Sequence, residues 1–505
     1  NVLVVNAGSS SLKYQLFDTS TNTVKAKGIC ERIGIDGGKI THRKGEDGEK
    51  HVEEIQMANH AEATKVVIRY LTDPELGVIS DMSEIEAVGH RVVHGGPYFF
   101  ESCLVTDDVI EKLRLCYPFA PLHTPAHLMG LEGCMAIMPN TPQVLVFDTA
   151  FHQTMPEKAY TYPISADIAE KYSIRRYGAH GTSHRYVSEE MIKLLGKPAE
   201  DTKIVTCHIG NGASISAVKG GKCIDTSMGF TPLDGIEMGT RCGSIDPAIV
   251  TFIMKNEGFT PDEMDNYMNK KCGFLGVTHG YSSDSRDLEK SIRENDEHRA
   301  DAVKATSVMA YQIQKFIGSY TAAMNGLDAV VFTAGMGENN PELRERVCTN
   351  MEFFGIKIDS EKNAKAHHQS DVVELSAPDS RVKVFLIPTN EELMIARDTE
   401  SIVKALELDS LSNFSALAPK ERNLQQHSEA SSGRNVSHIE YMRSMPFESF
   451  RATSRKRQHR VNNLGTAAMP RPHLSYAGSS AALALIKIIL CRRGFVKHMK
   501  SRAKG

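Results

Sequence analysis

From Asn1 to about Leu406, short apolar runs alternate with longer amphipathic stretches. NVLVV, AVGHRVV, QVLVFD, KIVTCHI, AVVFTAG and KVFLIP are short, rich in β-branched residues and bounded by turn formers, which predicts strands. RADAVKATSVMAYQIQKFIGSYTAAMNG predicts a long helix, with Val308, Tyr311, Ile313 and Phe316 near helical spacing. Strands alternating with helices imply an α/β architecture in which helices pack on sheets. After Leu408 the rhythm is lost in a Ser/Arg/Asn-rich segment containing SRKRQHR at Ser454 to Arg460.

Two hairpins share one logic. NVLVVNAGSSSLKYQLFD breaks from its strand into the small and polar run Asn6 to Ser11, then resumes as a strand with Lys13 on it. That run carries more hydrogen-bonding capacity than a hairpin turn needs. KIVTCHIGNGASISAVKGGK, from Lys203, repeats the pattern with a turn at Gly210, Asn211, Gly212 and Ser214. The repeat suggests two similar domains whose turns face each other across one ligand. Gly8 and Gly212 are expected to let backbone N–H groups gather into anion-binding nests. GSSSLK is not a Walker A loop, because it lacks the second glycine and runs into a strand. In AVVFTAGMGENNPELRERV a strand ends at Thr333, and Gly335 to Asn339 lead into a helix opened by proline. Glycine at such a junction lets a nucleotide approach the backbone.

Composition narrows the class. A chain of 505 residues exceeds one core, so two domains plus extra material are expected. Ten cysteines (Cys30, Cys103, Cys116, Cys134, Cys207, Cys223, Cys242, Cys272, Cys348 and Cys491) are scattered without a CxxC pair, as buried thiols of a reducing, cytoplasmic compartment would be. Val2 to Val5 has no basic region before it, so no secretory signal is expected. AALALIKIILC is about half a membrane span and contains Lys487, so no span is expected. The net charge of −3 hides an asymmetry: Leu408 to Gly505 holds 17 Lys and Arg against 5 Asp and Glu, which leaves 42 against 57 in the rest. The tail reads as an extension without a packed fold, with a basic arm for nucleic acid or anionic membrane as the alternative. No nucleic-acid partner is expected of the core.

NAGSSSLKYQLF, GHRVVHGG, FDTAFHQTMP, HGTSH, HIGNGAS, DTSMGFTPLDG, MGTRCG, FTAGMGEN and PTNEE, in that order, resemble the acetate kinase family of the sugar kinase and actin superfamily. The resemblance implies two duplicated actin-like, ribonuclease H-like domains, each a mixed sheet flanked by helices, with the active site in the cleft between them. Domain I would be residues 1–148, completed by about 388–406, domain II 149–387, and the basic tail 408–505. It also implies ATP:acetate phosphotransfer with Mg²⁺ (or Mn²⁺), ATP/ADP as co-substrate and a homodimer through domain II.

Acetate is ionised at neutral pH, since carboxylic acids titrate at about 4 to 5, so the nucleophile needs no general base. The obstacle is repulsion between anions, which calls for positioning and charge neutralisation. Arg91 and Arg241, in glycine-flanked loops, suit carboxylate and phosphoryl oxygens. Asp148, at the end of QVLVF, is expected to orient an arginine or metal-bound water. By resemblance, His180 donates to the transferring phosphoryl group, while Arg91, Val93, Leu122, His123, Ala179 and Pro232 surround the acyl group. Lys13, His208, Ile209, Gly210, Asn211, Gly212, Asp284, Ser285, Arg286, Gly335, Met336, Gly337, Glu338 and Asn339 match ATP-contacting segments, and Asn6 and Glu391 match the metal positions. His123 and His127 have i,i+4 spacing, but Pro125 argues against a regular helix there. His127 is expected to be structural.

Two departures from the family pattern bear on activity. Ala179 stands where the family carries Phe, which leaves open a wider acyl preference, towards propionate or butyrate, or weaker acetate binding. Ser244 replaces a usual Asp, removing an expected partner for a nearby Arg or backbone N–H and leaving weakened catalysis open. A non-catalytic nucleotide-binding homologue would be expected to lack Arg91, Asp148, His180 and Arg241, yet all are present.

Overall fold

The computed structural model describes residues 1–422 except 122 and 369, with side chains as far as 408 save 407. Contacts divide the chain into Asn1–Ala430 and Ser431–Gly505, and the second unit lies outside the described residues. So does the basic tail expected from Leu408 on, apart from the end of the last helix, Glu391–Arg422.

Two mixed sheets carry the architecture. The first contains β1 (Val2–Gly8), β2 (Ser11–Asp18), β3 (Thr23–Glu31), β4 (Lys39–Lys44), β5 (His51–Glu54), β6 (Ala87–Val92), β7 (Cys103–Leu104) and β8 (Gln143–Phe147), in the order β5-β4-β3-β2-β1-β6-β8-β7. The second contains β9 (Lys203–Ile209), β10 (Ala213–Lys219), β11 (Lys222–Thr226), β12 (Ala329–Thr333), β13 (Val373–Glu374) and β14 (Lys383–Leu386), in the order β11-β10-β9-β12-β14-β13. Within them, β3-β2-β1-β6-β8 and β11-β10-β9-β12-β14 have the same topology: two antiparallel pairings, then two parallel ones. The duplication expected from the paired hairpins is therefore present in the strand order.

Burial explains which strands read clearly. β8 and β12 are buried at every position, as inner parallel strands covered on both faces are. β2 instead alternates, with Leu12, Tyr14 and Leu16 buried and Lys13 exposed. Leu3, Val5, Leu12, Tyr14 and Leu16 join Val67 and Tyr70 of the helix His60–Leu71 in one core. On the opposite face Val2, Val4, Val144 and Val146 pack with Leu393, Ile395 and Ala396 of the last helix. That helix lies so close to β6 that a Cβ on Gly89 would fall 2.3 Å from Thr399 Oγ1. Thr19 donates to Glu400 (2.7 Å) and Ser102 to Asp398 (2.7 Å), tying the helix to both ends of the first sheet.

The second sheet is flanked by Gly181–Leu195 and Arg299–Met324. Val187 and Met191 pack on Ile204 and Val331, while Met309, Ile313, Ile317 and Tyr320 pack with Val205, Ile215 and Val330. Of the four residues that suggested the long helix, only Ile313 is fully buried; Val308 and Tyr311 are exposed and Phe316 is half-buried. Its core face is filled by smaller or more flexible side chains, Ala302, Ala305 and Met309.

Three local expectations change. The opening turn holds two residues, not six: Asn6 pairs with Lys13, Ala7 with Leu12 and Gly8 with Ser11, leaving Ser9 and Ser10 between the strands. Neither Gly8 nor Gly212 has positive φ, so neither builds a nest by left-handed geometry. Pro125 does not break a helix, because it sits in the first turn of Thr124–Ile137, where its missing N–H has no partner to lose. Among the described residues, no helix is long and apolar enough to cross a membrane.

Candidate active site

β6 and β8 are parallel neighbours, so Arg91 near the end of one lies beside Asp148 just past the other. The guanidinium grips Asp148 through Nε (3.1 Å to Oδ1) and an NH2 nitrogen (2.8 Å to Oδ2). Its third nitrogen lies 3.5 Å from Glu391 Oε2. The buried Asp148 carboxylate holds Arg91 firmly charged, above its ordinary range, against the cost of burial. At the start of the last helix, burial pushes Glu391 up to about 7, opposed by the pull of Arg91. Glu391 Oε1 is buried without a hydrogen-bond partner, an unspent hard oxygen donor. Asn6 lines, with Lys13 and Glu392, a cavity of about 250 Å³ on the first sheet.

Histidines and hydroxyls form two chains beneath the second hairpin. His180 Nδ1 is 2.9 Å from Ser214 Oγ, which lies 2.7 Å from His184 Nε2, and His184 Nδ1 is 2.7 Å from Thr206 Oγ1. The His180 ring stacks on His208 at 4.1 Å, and His208 Nδ1 meets Ser183 Oγ at 2.8 Å. Ser183 in turn reaches Thr389 Oγ1 (2.7 Å), joining the second sheet to the segment that enters the last helix. Burial first, then neighbouring rings and arginines, holds His180 neutral well below its usual range. His208 is pushed down to about 3 by burial and Arg91.

Arg241 completes the group. Its NH1 nitrogen donates to Pro232 O (3.3 Å), and burial lowers its proton affinity. A Cβ on Gly212 would lie 3.3 Å from His180 Nε2 and 3.4 Å from Arg241 NH1, so hairpin turn, histidine and arginine converge. The Arg241 loop is held by backbone bonds from Cys272 N to Thr240 O (3.1 Å), Phe274 N to Met238 O (3.0 Å) and Leu275 N to Gly239 O (3.0 Å). Ser244 is fully engaged, donating to Asp234 Oδ1 (2.5 Å) and accepting from Gly235 N (3.0 Å). Glu237, just before this loop, is 2% exposed, and neither carboxylate oxygen has a hydrogen-bond partner. Burial pushes its carboxyl up to about 8.

A family model described as the acetokinase family matches residues 1–397. The chain belongs to that family. The acetate kinase of Thermotoga maritima is 55% identical over 405 residues, spanning 80% of this chain and 99% of that protein. That of Methanosarcina thermophila is 55% identical over 403 residues, with 80% and 97% covered. Among solved structures, Porphyromonas gingivalis acetate kinase aligns with a TM-score of 0.76 at 46% identity, over 80% of this chain and 99% of that one.

The remaining acetokinase-motif residues fall into distinct settings. His123 is solvent-exposed just before Thr124–Ile137, its ring 6.3 Å from that of buried His127, and partial desolvation of the ring, with the charges of Arg241 and Arg91, holds it below its usual range. Val93 and Pro232 are half-buried, and Leu122 lies outside the described residues. Ala179, expected at a pocket wall, is 4% exposed and belongs to the core of the second sheet, with its carbonyl 2.9 Å from His152 Nε2.

The junction expected at Gly335 to Asn339 is itself helical. Ala334–Asn339 forms a short helix, followed by Pro341–Cys348. Glu338 turns inward, where its Oε1 accepts from Ala334 N (2.8 Å) and Thr389 N (3.0 Å), so this oxygen positions backbone. Ile209 is likewise buried in the core, leaving only its backbone for a ligand. Gly335 faces open space, with nothing within 4 Å of a Cβ built there. Asp284 caps the helix Ser285–Glu294 and pairs with the exposed Arg286. Ser214, expected in the second hairpin turn, lies instead in β10, and Ser183, Thr206 and Thr389 were not singled out from the sequence, although Ser183 belongs to HGTSH and Thr389 to PTNEE.

Proposed function

We propose that the chain transfers the γ-phosphoryl group of ATP to acetate, reversibly, giving acetyl phosphate and ADP. The observation that carries the reading is the convergence of Arg241, His180 and the Gly212 turn, in a site that also holds the Arg91–Asp148 pair. Asp148 is committed to Arg91 and is not a free base, which suits a nucleophile that is already ionised. Arg91 and Arg241 offset the repulsion between carboxylate and phosphates, with Val93 and Pro232 beside the methyl group.

His180, held neutral, serves as a donor. In this reading Thr206 donates to His184 Nδ1, His184 Nε2–H to Ser214 and Ser214 to His180 Nδ1, which would leave the proton of His180 on Nε2, the ring nitrogen that faces the Gly212 turn. Mg²⁺ (or Mn²⁺), held through Asn6 and the unspent oxygen of Glu391 while keeping most of its waters, would neutralise phosphate charge. Lys13, residues 208–212, the Asp284–Arg286 turn and the Gly335–Asn339 helix are the ATP contacts in this reading.

A division into domain I (1–148 with 388–406) and domain II (149–387) fits the return of the last helix to the first sheet. The exposed Ile249, Phe252, Val308 and Tyr311 suit a homodimer through domain II, measurable by light scattering. The free thiols among the described residues suit the cytoplasm.

A hydroxamate assay with ATP, Mg²⁺ and acetate, propionate or butyrate tests the function. Acetate should be preferred, and Arg241→Ala should lower kcat by about 10²–10³, as loss of a transition-state donor does. No turnover of any of the three acids would overturn the reading.

A further inference from the structure

We propose that Glu338 is a positioning residue that relays nucleotide contact to Glu391, because its carboxylate ties the Ala334–Asn339 helix to the entry of the last helix. The relay rests on the phosphotransfer reading above; the tie itself does not. β12 and β14 are parallel neighbours with Phe332 opposite Leu386, and Ile387 N still donates to Phe332 O (3.1 Å) beyond that pair. An evenly spaced parallel ladder would continue through Ala334 N and Thr389 N. Both groups leave it and donate instead to Glu338 Oε1, at 2.8 and 3.0 Å. Thr333 Oγ1 adds a longer contact to the same oxygen at 3.4 Å. Ala334 itself has φ of 64°, a left-handed conformation that turns the chain out of the strand and persists only where its surroundings hold it.

Each end of the tie carries part of the site. On one side, buried Arg344 donates to Gly337 O (2.8 Å) and Glu338 O (3.0 Å), and Asn339 Nδ2 donates to Gly335 O (3.0 Å), so the short helix is braced at its far end and moves as a piece. Ala334 Cβ lies 3.9 Å from where a Cβ on Gly210 would stand, against the second hairpin turn. On the other side, Thr389 precedes Glu391 by two residues, and its Oγ1 meets Ser183 Oγ at 2.7 Å. Asn390 Oδ1 accepts from Leu393 N (3.0 Å) and so caps the helix that Glu391 opens. Glu391 Oε2 then lies 3.5 Å from Arg91.

The coupling runs both ways. A nucleotide that fits the short helix only in its tied position strengthens the bond to Thr389, and an ordered Glu391 segment favours the nucleotide by the same factor. Several donors converging on one oxygen suit a charged acceptor, which takes hydrogen bonds about twice as strongly as a neutral one. Glu338 therefore serves through its grip on two backbones, and the atoms of its helix that face the open space at Gly335 are left to meet the nucleotide.

The test is hydrogen–deuterium exchange of the full chain, followed on peptides covering 333–340 and 387–393. Without ligand, Glu338→Ala should speed exchange of both peptides about tenfold. Glu338→Gln, which keeps an oxygen in place without the charge, should loosen both by a smaller factor and carries the test if the alanine variant does not fold. ADP should slow exchange of both peptides in the parent, but of 333–340 alone in Glu338→Ala. In the hydroxamate assay Glu338→Ala should lower kcat about tenfold and raise KM for ATP, with Glu338→Gln recovering most of both. The proposal is overturned if one peptide loosens without the other, if ADP still slows 387–393 in Glu338→Ala, or if KM for ATP rises while kcat stays, as loss of a direct nucleotide contact would give. ADP leaving 333–340 unslowed in the parent would overturn the nucleotide placement and the relay with it, while the ligand-free exchange judges the tie separately.

Discussion

Replacing Glu237 by Gln should stabilise the fold, and by more as pH rises. The side chain is 2% exposed with both oxygens unpaired, and its carboxyl is raised from 4.5 to about 8. The unfolded chain releases this proton above pH 4.5, whereas the folded chain holds it to about 8. Between those values the unfolded state binds fewer protons, so stability falls as pH rises, then levels off above the upper value. At about 1.36 kcal/mol per pH unit, the burden is about 3 kcal/mol at pH 7 and under about 1 kcal/mol at pH 5. Gln has similar volume and an equally unpaired but neutral head, so it removes the charge-dependent part alone. With an unfolding entropy of about 2.1 cal/mol/K per residue over Asn1–Ala430, the gain at pH 7 is a Tm rise of about 3 to 4 °C. Differential scanning calorimetry of parent and variant across pH 5 to 8 measures it. A Tm difference that stays flat across that range, or a variant less stable at pH 7, would refute the reasoning and show that the carboxylate finds a partner in solution.

Three further outcomes follow from the site. Ser214→Ala should lower kcat about tenfold with KM for ATP unchanged, because His180 loses the group that fixes its tautomer; an unchanged kcat counts against the donor role. Gly335→Ala should leave Tm unchanged or slightly raised, since a methyl there meets only open space, while KM for ATP rises several-fold; an unaltered KM places the nucleotide elsewhere. Asp148→Asn should cost about 3 to 5 kcal/mol in stability by leaving Arg91 buried without its counter-charge, and kcat should fall as well; a Tm within a degree of the parent would mean that Arg91 re-pairs with Glu391.

The sheets were legible in the sequence because inner strands covered on both faces must be continuous apolar runs, as QVLVF and AVVFT are. The opening turn was misjudged for a physical reason. Asn6 and Gly8 are turn-forming by type, yet strand pairing satisfies their backbone groups more fully than a wide loop could. Gly335 to Asn339 read as a junction leading into the proline-opened helix because glycine is a poor helix former, but the segment is itself helical, and the inward Glu338 carboxylate fastens its first N–H and the entry to the last helix together. The motif residues pointed to the arginines, His180 and Asp148. The Ser214 and Ser183 relays could not be read the same way, since an ordinary serine acquires meaning only once another element brings a ring nitrogen within 2.9 Å.

The last helix also orders events during synthesis. The Val2, Val4 and Val144 face of the first sheet packs under Leu393, Ile395 and Ala396 of that helix, yet the chain makes the first two valines almost 400 residues, and Val144 about 250 residues, before it. While the ribosome is still translating the second sheet, Arg91 and Asp148 can pair, but the apolar face beneath the future helix is bare and Glu391 does not exist. A nascent chain therefore presents an exposed valine surface until the last helix is made, and any message cut short before Glu391 yields a product without a site.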